Sequence, residues 1–103
     1  MTLEIIETDK AFLDIVQLAD YIAEHGSLEA SERVVLAIRN TYGNLAAFPR
    51  IGKDQSFGSG VPGLRMVPVS RFPNYLIFFQ VTADQLIIRR VLHGSRDVES
   101  ALP

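Results

Sequence analysis

From Asp9 to Pro49 the chain reads DKAFLDIVQLADYIAEHGSLEASERVVLAIRNTYGNLAAFP. Phe12, Ile15, Val16, Ala19, Ile22 and Ala23 recur at steps of three and four, which aligns them along one side of a helix. Val34, Val35, Ile38, Tyr42 and Leu45 repeat the pattern in a second helix, which Phe48-Pro49 stops. Asp9 and Ser27 are the expected N-caps, and Glu29 falls in the first turn of the second helix, where the dipole favours negative charge. His25-Gly26 is expected to close the first helix, because glycine tolerates the left-handed conformation common at helix ends. With Gly26 alone between them, the two helices must fold back as an αα-hairpin.

A hairpin of two amphipathic helices has an apolar side to cover, and the flanking sequence supplies a sheet. Leu3-Glu4-Ile5-Ile6-Glu7 is short and rich in β-branched residues, a strand pattern. After the hairpin, residues 49–63 lose all periodicity and hold four of the seven glycines and two of the five prolines. Loops of that length are often functional, although packing over a sheet edge to cover it is the simpler reading. Three strands follow. Leu64 to Val69 contains Pro68, the mark of an edge or bulged strand. Asn74 to Thr82 is apolar on both faces, and Gln85 to Leu92 follows a tight turn at Ala83-Asp84. The expected fold is α+β, in the order β-α-α-β-β-β: a helical hairpin on a twisted, mainly antiparallel four-stranded sheet that forms a meander. Phe12, Ile15, Val16, Ile22, Val35, Ile38, Leu45, Ile77, Phe79 and Ile88 are expected in its core.

The 103 residues suffice for one domain, 1–103, and not for two. No cysteine is present, which excludes disulfides and thiolate metal sites. The first residues lack the basic and apolar segments of a signal peptide, and no apolar run is long enough to cross a bilayer. A soluble domain of a reducing compartment, the cytoplasm, is the expectation. Residues 1–32 carry eight of the twelve acidic residues and one basic residue, Lys10, whereas residues 33–103 carry nine basic residues against four acidic ones. A basic rear favours an anionic partner there. The same asymmetry fits a hairpin with a solvated acidic face equally well.

Motifs with sharp chemistry are few. His25 and His93 stand far apart without a metal-ligand spacing, so neither a metal nor another cofactor is expected. Gly58-Ser59-Gly60 lacks the form of a phosphate loop. His93, Ser95 and Asp97 are too close in sequence to suggest a hydrolase triad, whose members converge from separate elements. In the last strand, strict alternation sets Ile88, Arg90 and Leu92 on one face and Ile87, Arg89, Val91 and His93 on the other. One arginine then borders an apolar face and requires a partner or a route to water. A structural ion pair with Asp97 or a helix carboxylate is the simpler reading.

The run Arg90-Val91-Leu92-His93-Gly94-Ser95-Arg96-Asp97 resembles the close of the last strand in ParE-type members of the RelE/ParE toxin superfamily. Phe72-Pro73-Asn74-Tyr75-Leu76-Ile77-Phe78-Phe79 is similar to that family's third strand, and Gly63-Leu64-Arg65 to the start of its second. Leu45 to Gly52 resembles the end of its second helix, and Ala19-Asp20-Tyr21-Ile22-Ala23 part of its first. The resemblance spans nearly the whole chain in order. It implies the toxin of a type II toxin–antitoxin, plasmid-stabilisation system, neutralised by a cognate antitoxin, a small DNA-binding protein encoded nearby. It also implies one of two targets: DNA gyrase, poisoned by binding, or messenger RNA, cut on the ribosome.

Cutting RNA without a metal needs groups that activate the 2′-hydroxyl, stabilise the phosphorane and protonate the leaving oxygen. The resemblance to the nuclease branch would place these roles on Arg65, His93 and Arg96. Val67 and Leu76 stand where that branch carries basic residues, and no tyrosine follows Tyr75. A ParE-like, gyrase-binding inhibitor that is not itself an enzyme is therefore the first expectation. Its candidate target-binding residues are Arg65, Arg89, Arg90, His93 and Arg96. A ribosome-dependent endoribonuclease stands second, and a degenerate member that only binds its antitoxin stands third. No membrane partner is expected.

Overall fold

The computed structural model describes residues 2–54 and 60–94. β1 (Glu4–Glu7) leads into α1 (Asp9–His25) and α2 (Leu28–Ala47), which are followed by β2 (Lys53–Asp54), β3 (Arg65–Val69), β4 (Phe72–Val81) and β5 (Gln85–His93). The strands form one sheet in the order β1-β5-β4-β3-β2. The helical hairpin carries the chain from one edge of this sheet to the other. β1 consequently runs parallel to β5, while every other pairing is antiparallel, so the meander comprises only β2 to β5. The four expected strands are present, and a two-residue β2 inside the long loop is added to the β3 edge, covering part of it as the simpler reading of that loop anticipated.

Local chemistry explains the helix ends, with two corrections. Thr8, not Asp9, caps α1: its Oγ1 accepts from the Ala11 N–H and its own hydroxyl donates to the Ile88 carbonyl of β5. Ser27 caps α2 as expected, accepting from Ala30 N–H at 3.0 Å. Gly26 closes α1, but at φ −133° it does not occupy the left-handed region. Its role is spatial, because its N–H donates to the Ile22 carbonyl and a Cβ there would stand 3.1 Å from that same oxygen.

The core lies between the hairpin and one face of the sheet. Ile38, Leu45, Ile77, Phe79, Leu86 and Ile88 are fully buried in it, joined by Ile15 and Val91. Burying one such side chain stabilises the fold by about 1.5–3 kcal/mol. Leu64, Phe78 and Leu92 form a smaller cluster on the opposite face of the sheet. Four of the expected core residues differ. Phe12 and Val16 are exposed, while Ile22 and Val35 are only partly buried against the core. α1 packs through Ala11, Asp14, Ile15 and Leu18, an arc centred to one side of its apolar stripe, which leaves Phe12 and Val16 on the flank.

β5 carries a bulge. Phe78 faces Arg90 and Phe79 faces Ile88, so Arg89 is an extra residue between them. Strict alternation therefore fails beyond Ile88. Val91 joins Leu86 and Ile88 in the core under the helices, and Leu92 turns to the cluster on the other face. An inserted residue exchanges the faces of everything after it.

Candidate functional site

The cationic side chains expected to act together at the sheet are dispersed. Arg90 is tied to α1: its Nε and Nη2 donate to the two oxygens of Asp14, each at 2.8 Å, and the Val91 N–H donates to the same carboxylate at 3.0 Å. The structural ion pair is thus with a helix carboxylate. Arg89 projects to solvent and donates to the Gln80 side-chain oxygen at 2.6 Å, while Gln80 donates to the Pro62 carbonyl. Arg65 Nη2 donates to the carbonyls of Arg50 and Gly52, stapling the segment after α2 to β3, and its Nε is buried without a partner among the described residues. Gly52 has φ +105°, and a Cβ there would meet the Met66 carbonyl and the Phe79 ring at 3.0 Å, so only glycine fits beneath this staple.

His93 is half-buried at the far end of β5, with its ring edge-on to Tyr75 at 5.4 Å. Arg65 pairs with Phe79 and His93 with Tyr75, positions four residues apart along β4. At roughly 3.3 Å per residue their levels are offset by about 13 Å along β4, and β4 itself lies between them. Arg96, the remaining candidate, lies outside the described residues. Among the described residues no group of three His, Cys, Asp or Glu is placed to hold a metal ion, and no helix is long and apolar enough to cross a membrane. Tyr42 is strongly shifted: burial, then the Glu7 carboxylate that accepts its hydroxyl hydrogen bond at 2.8 Å, push the phenol far above its ordinary value.

A groove of about 400 Å³ opens between α2 and the β3–β4 turn. Arg33, Leu36, Asn40 and Asn44 line it from the helix, where steps of three and four keep them on one side, and Arg71 and Phe72 line it from the turn. Among the described residues no carboxylate lines it. Leu36 is 61% exposed, an apolar side chain of the groove left open to water. Thr41 sets the distance between the two walls: it is buried, donates to the Ala37 carbonyl at 2.7 Å and accepts from the Ser70 N–H at 3.1 Å. Arg71 is the second of the two turn residues and has φ +72°, a conformation suited to glycine or asparagine there. A side chain with a Cβ gives up about 1 kcal/mol or more in that region.

Periodicity pointed to neither groove arginine. Arg33 reads as an ordinary solvent-facing residue of an amphipathic helix, and the positive φ of Arg71 exists only once the turn is built. Asp14 was equally hidden, an acidic residue in the packed arc of α1 whose partner lies 76 positions away.

A helical hairpin on one face of a mixed sheet, with a preformed groove beside the second helix, defines a small α+β domain equipped to bind. The chain belongs to the ParE toxin family: the model of that family, the ParE toxin of the type II toxin–antitoxin system parDE, matches residues 5–98. The fold is similar to that of a chain in the solved chromosomal ParDE toxin–antitoxin system from P. aeruginosa, with a TM-score of 0.74 and 21% identity over 89% of this chain and 96% of that one. No curated protein matches the chain.

Proposed function

We propose that the chain is the toxin of a type II, plasmid-stabilisation-type pair, that a cognate antitoxin encoded beside it neutralises it, and that it acts in the cytoplasm by binding DNA gyrase without hydrolysing anything. The observation that carries this reading is the family match over residues 5–98. The choice of gyrase over messenger RNA is supported by how the cationic side chains are used. Arg65 is occupied by backbone carbonyls and sits about 13 Å along the strand from the level of His93, while Val67 and Leu76 offer no charge between them. Transition-state stabilisation of a phosphorane needs donors converging on one atom, and these do not converge. In the proposed complex, Arg89 and His93 of β5 contact the target, Arg96 is a further contact, and Arg65 and Arg90 hold the surrounding backbone in place.

A supercoiling assay run beside a translating extract tests this. Purified protein is expected to inhibit gyrase and leave messenger RNA intact. Codon-positioned cuts that disappear in His93→Ala would reverse the assignment in favour of the endoribonuclease.

A further inference from the structure

We infer that the outer face of the helical hairpin is an interface between two copies of this chain, packed antiparallel with α2 against α2 across a two-fold axis. The face belongs to the hairpin alone, so the dimer does not depend on the toxin–antitoxin reading. None of the residues that form it lines the groove on the other flank of α2.

The pattern along α2 is the first ground. Leu28, Glu32, Val35, Arg39 and Gly43 follow one another at steps of three and four, which keeps them on one side of the helix. Leu28 is 66% exposed, Val35 is half-buried, and the other three are exposed. Ser31 Oγ donates to the Ala19 carbonyl at 2.9 Å and so fixes the level of α1 against α2. Counting outward from that bond, Phe12 stands near the level of Arg39 and Val16 near that of Val35, and both are exposed. Leu28, Val35, Phe12 and Val16 thus give the hairpin an apolar seam open to water.

Charge complementarity is the second ground, and it selects the occupant. Neither Glu32 nor Arg39 has a hydrogen bond or ion pair among the described residues. They stand seven residues, and thus two turns, apart on one side of α2. Two copies set parallel would oppose like charges along the seam. An antiparallel pair centred between Val35 and Leu36 instead sets Glu32 of each copy against Arg39 of the other, twice over, as a two-fold interface requires. The same register lays Leu28 of each copy over Gly43 of the other. Gly43 is the third ground. Glycine weakens a helix interior, yet the backbone here is not left-handed and open space surrounds the position a Cβ would take. Nothing inside the chain calls for a glycine at that position, whereas a leucine seated there from a second copy does.

Analytical ultracentrifugation of the full chain over a range of concentrations tests this, with a far-ultraviolet circular dichroism spectrum of each variant to check its fold. Wild type is expected to reach twice the chain mass. Arg39→Glu sets like charges together at both ends of the seam and is expected to raise the dimer dissociation constant about tenfold or more. Combining it with Glu32→Arg returns opposite charges to both ends and is expected to restore the dimer, a rescue that a role within one copy would not give. Gly43→Gln favours the helix but fills the seat of Leu28, and is expected to stay monomeric with an unchanged spectrum. A wild type that is monomeric at every concentration overturns the inference, and so does a dimer that Arg39→Glu and Gly43→Gln leave intact. If wild type is monomeric and Arg39→Glu instead weakens binding of the protein encoded beside the gene, the face belongs to that partner and the inference is likewise overturned.

Discussion

Tyr42 shows how a single buried hydroxyl connects the two layers. Its ring sits in the core and its oxygen reaches the Glu7 carboxylate on β1, so the phenol must remain protonated in the folded state. In the unfolded chain it titrates near its ordinary value of 10.0. The folded value is the higher one, so the contribution of Tyr42 is complete below about pH 10 and is lost as pH rises beyond it. Urea unfolding at about pH 8 and about pH 11 should show stability falling on the alkaline side by up to about 1.4 kcal/mol per pH unit from this group. Tyr42→Phe should cost about 1 kcal/mol at neutral pH and flatten that alkaline decline. An unchanged decline in the variant would place its origin elsewhere.

Among the elements, the contact of α1 with β5 carries the most consequence. Arg90 and Val91 follow the β5 bulge, and Asp14 of α1 accepts from the guanidinium of the first and the N–H of the second. β1 pairs with β5 only as far as Ile88, so Asp14 supplies a hydrogen bond to β5 beyond the end of β1. Asp14→Ala strips partners from a half-buried guanidinium and a buried amide together, and should destabilise the protein by about 2–4 kcal/mol. Asp14→Asn retains the amide's acceptor and should lose less. Thermal melts of the two variants check the order, and equal losses would assign the effect to charge alone. The same contact accounts for the exposure of Phe12 and Val16, because burying Asp14 turns their side of α1 outward.

For the whole molecule, the charge asymmetry and the open groove bear on how the proposed partner binds. A tail that orders on binding loses conformational entropy, so apolar anchors must supply most of its affinity. The chain alone should be poorly soluble or toxic to its host, and co-expression with the adjacent protein should give a stable complex. Raising salt from about 0.1 M to about 0.5 M should weaken that complex less than tenfold, since screening acts on exposed charges and little on buried apolar area. Calorimetric titrations across that range check this. A loss of several powers of ten would instead indicate an interface dominated by ion pairs.

The sequence by itself determined the element types, the hairpin and most of the core, because periods of 3.6 and 2 are local consequences of which residues must leave water. Ser27, Pro68 and Phe48-Pro49 were legible for the same reason: a cap, a bulged strand and a helix stop each act within a few residues. The tertiary structure alone decided the faces beyond Ile88, since a bulge is an agreement between two strands and one inserted residue reverses alternation. It decided the parallel place of β1, the burial of Asp14, and the groove joining Arg33 to Arg71. Each depends on groups far apart in the chain, and no local periodicity records which distant partner a charge will meet.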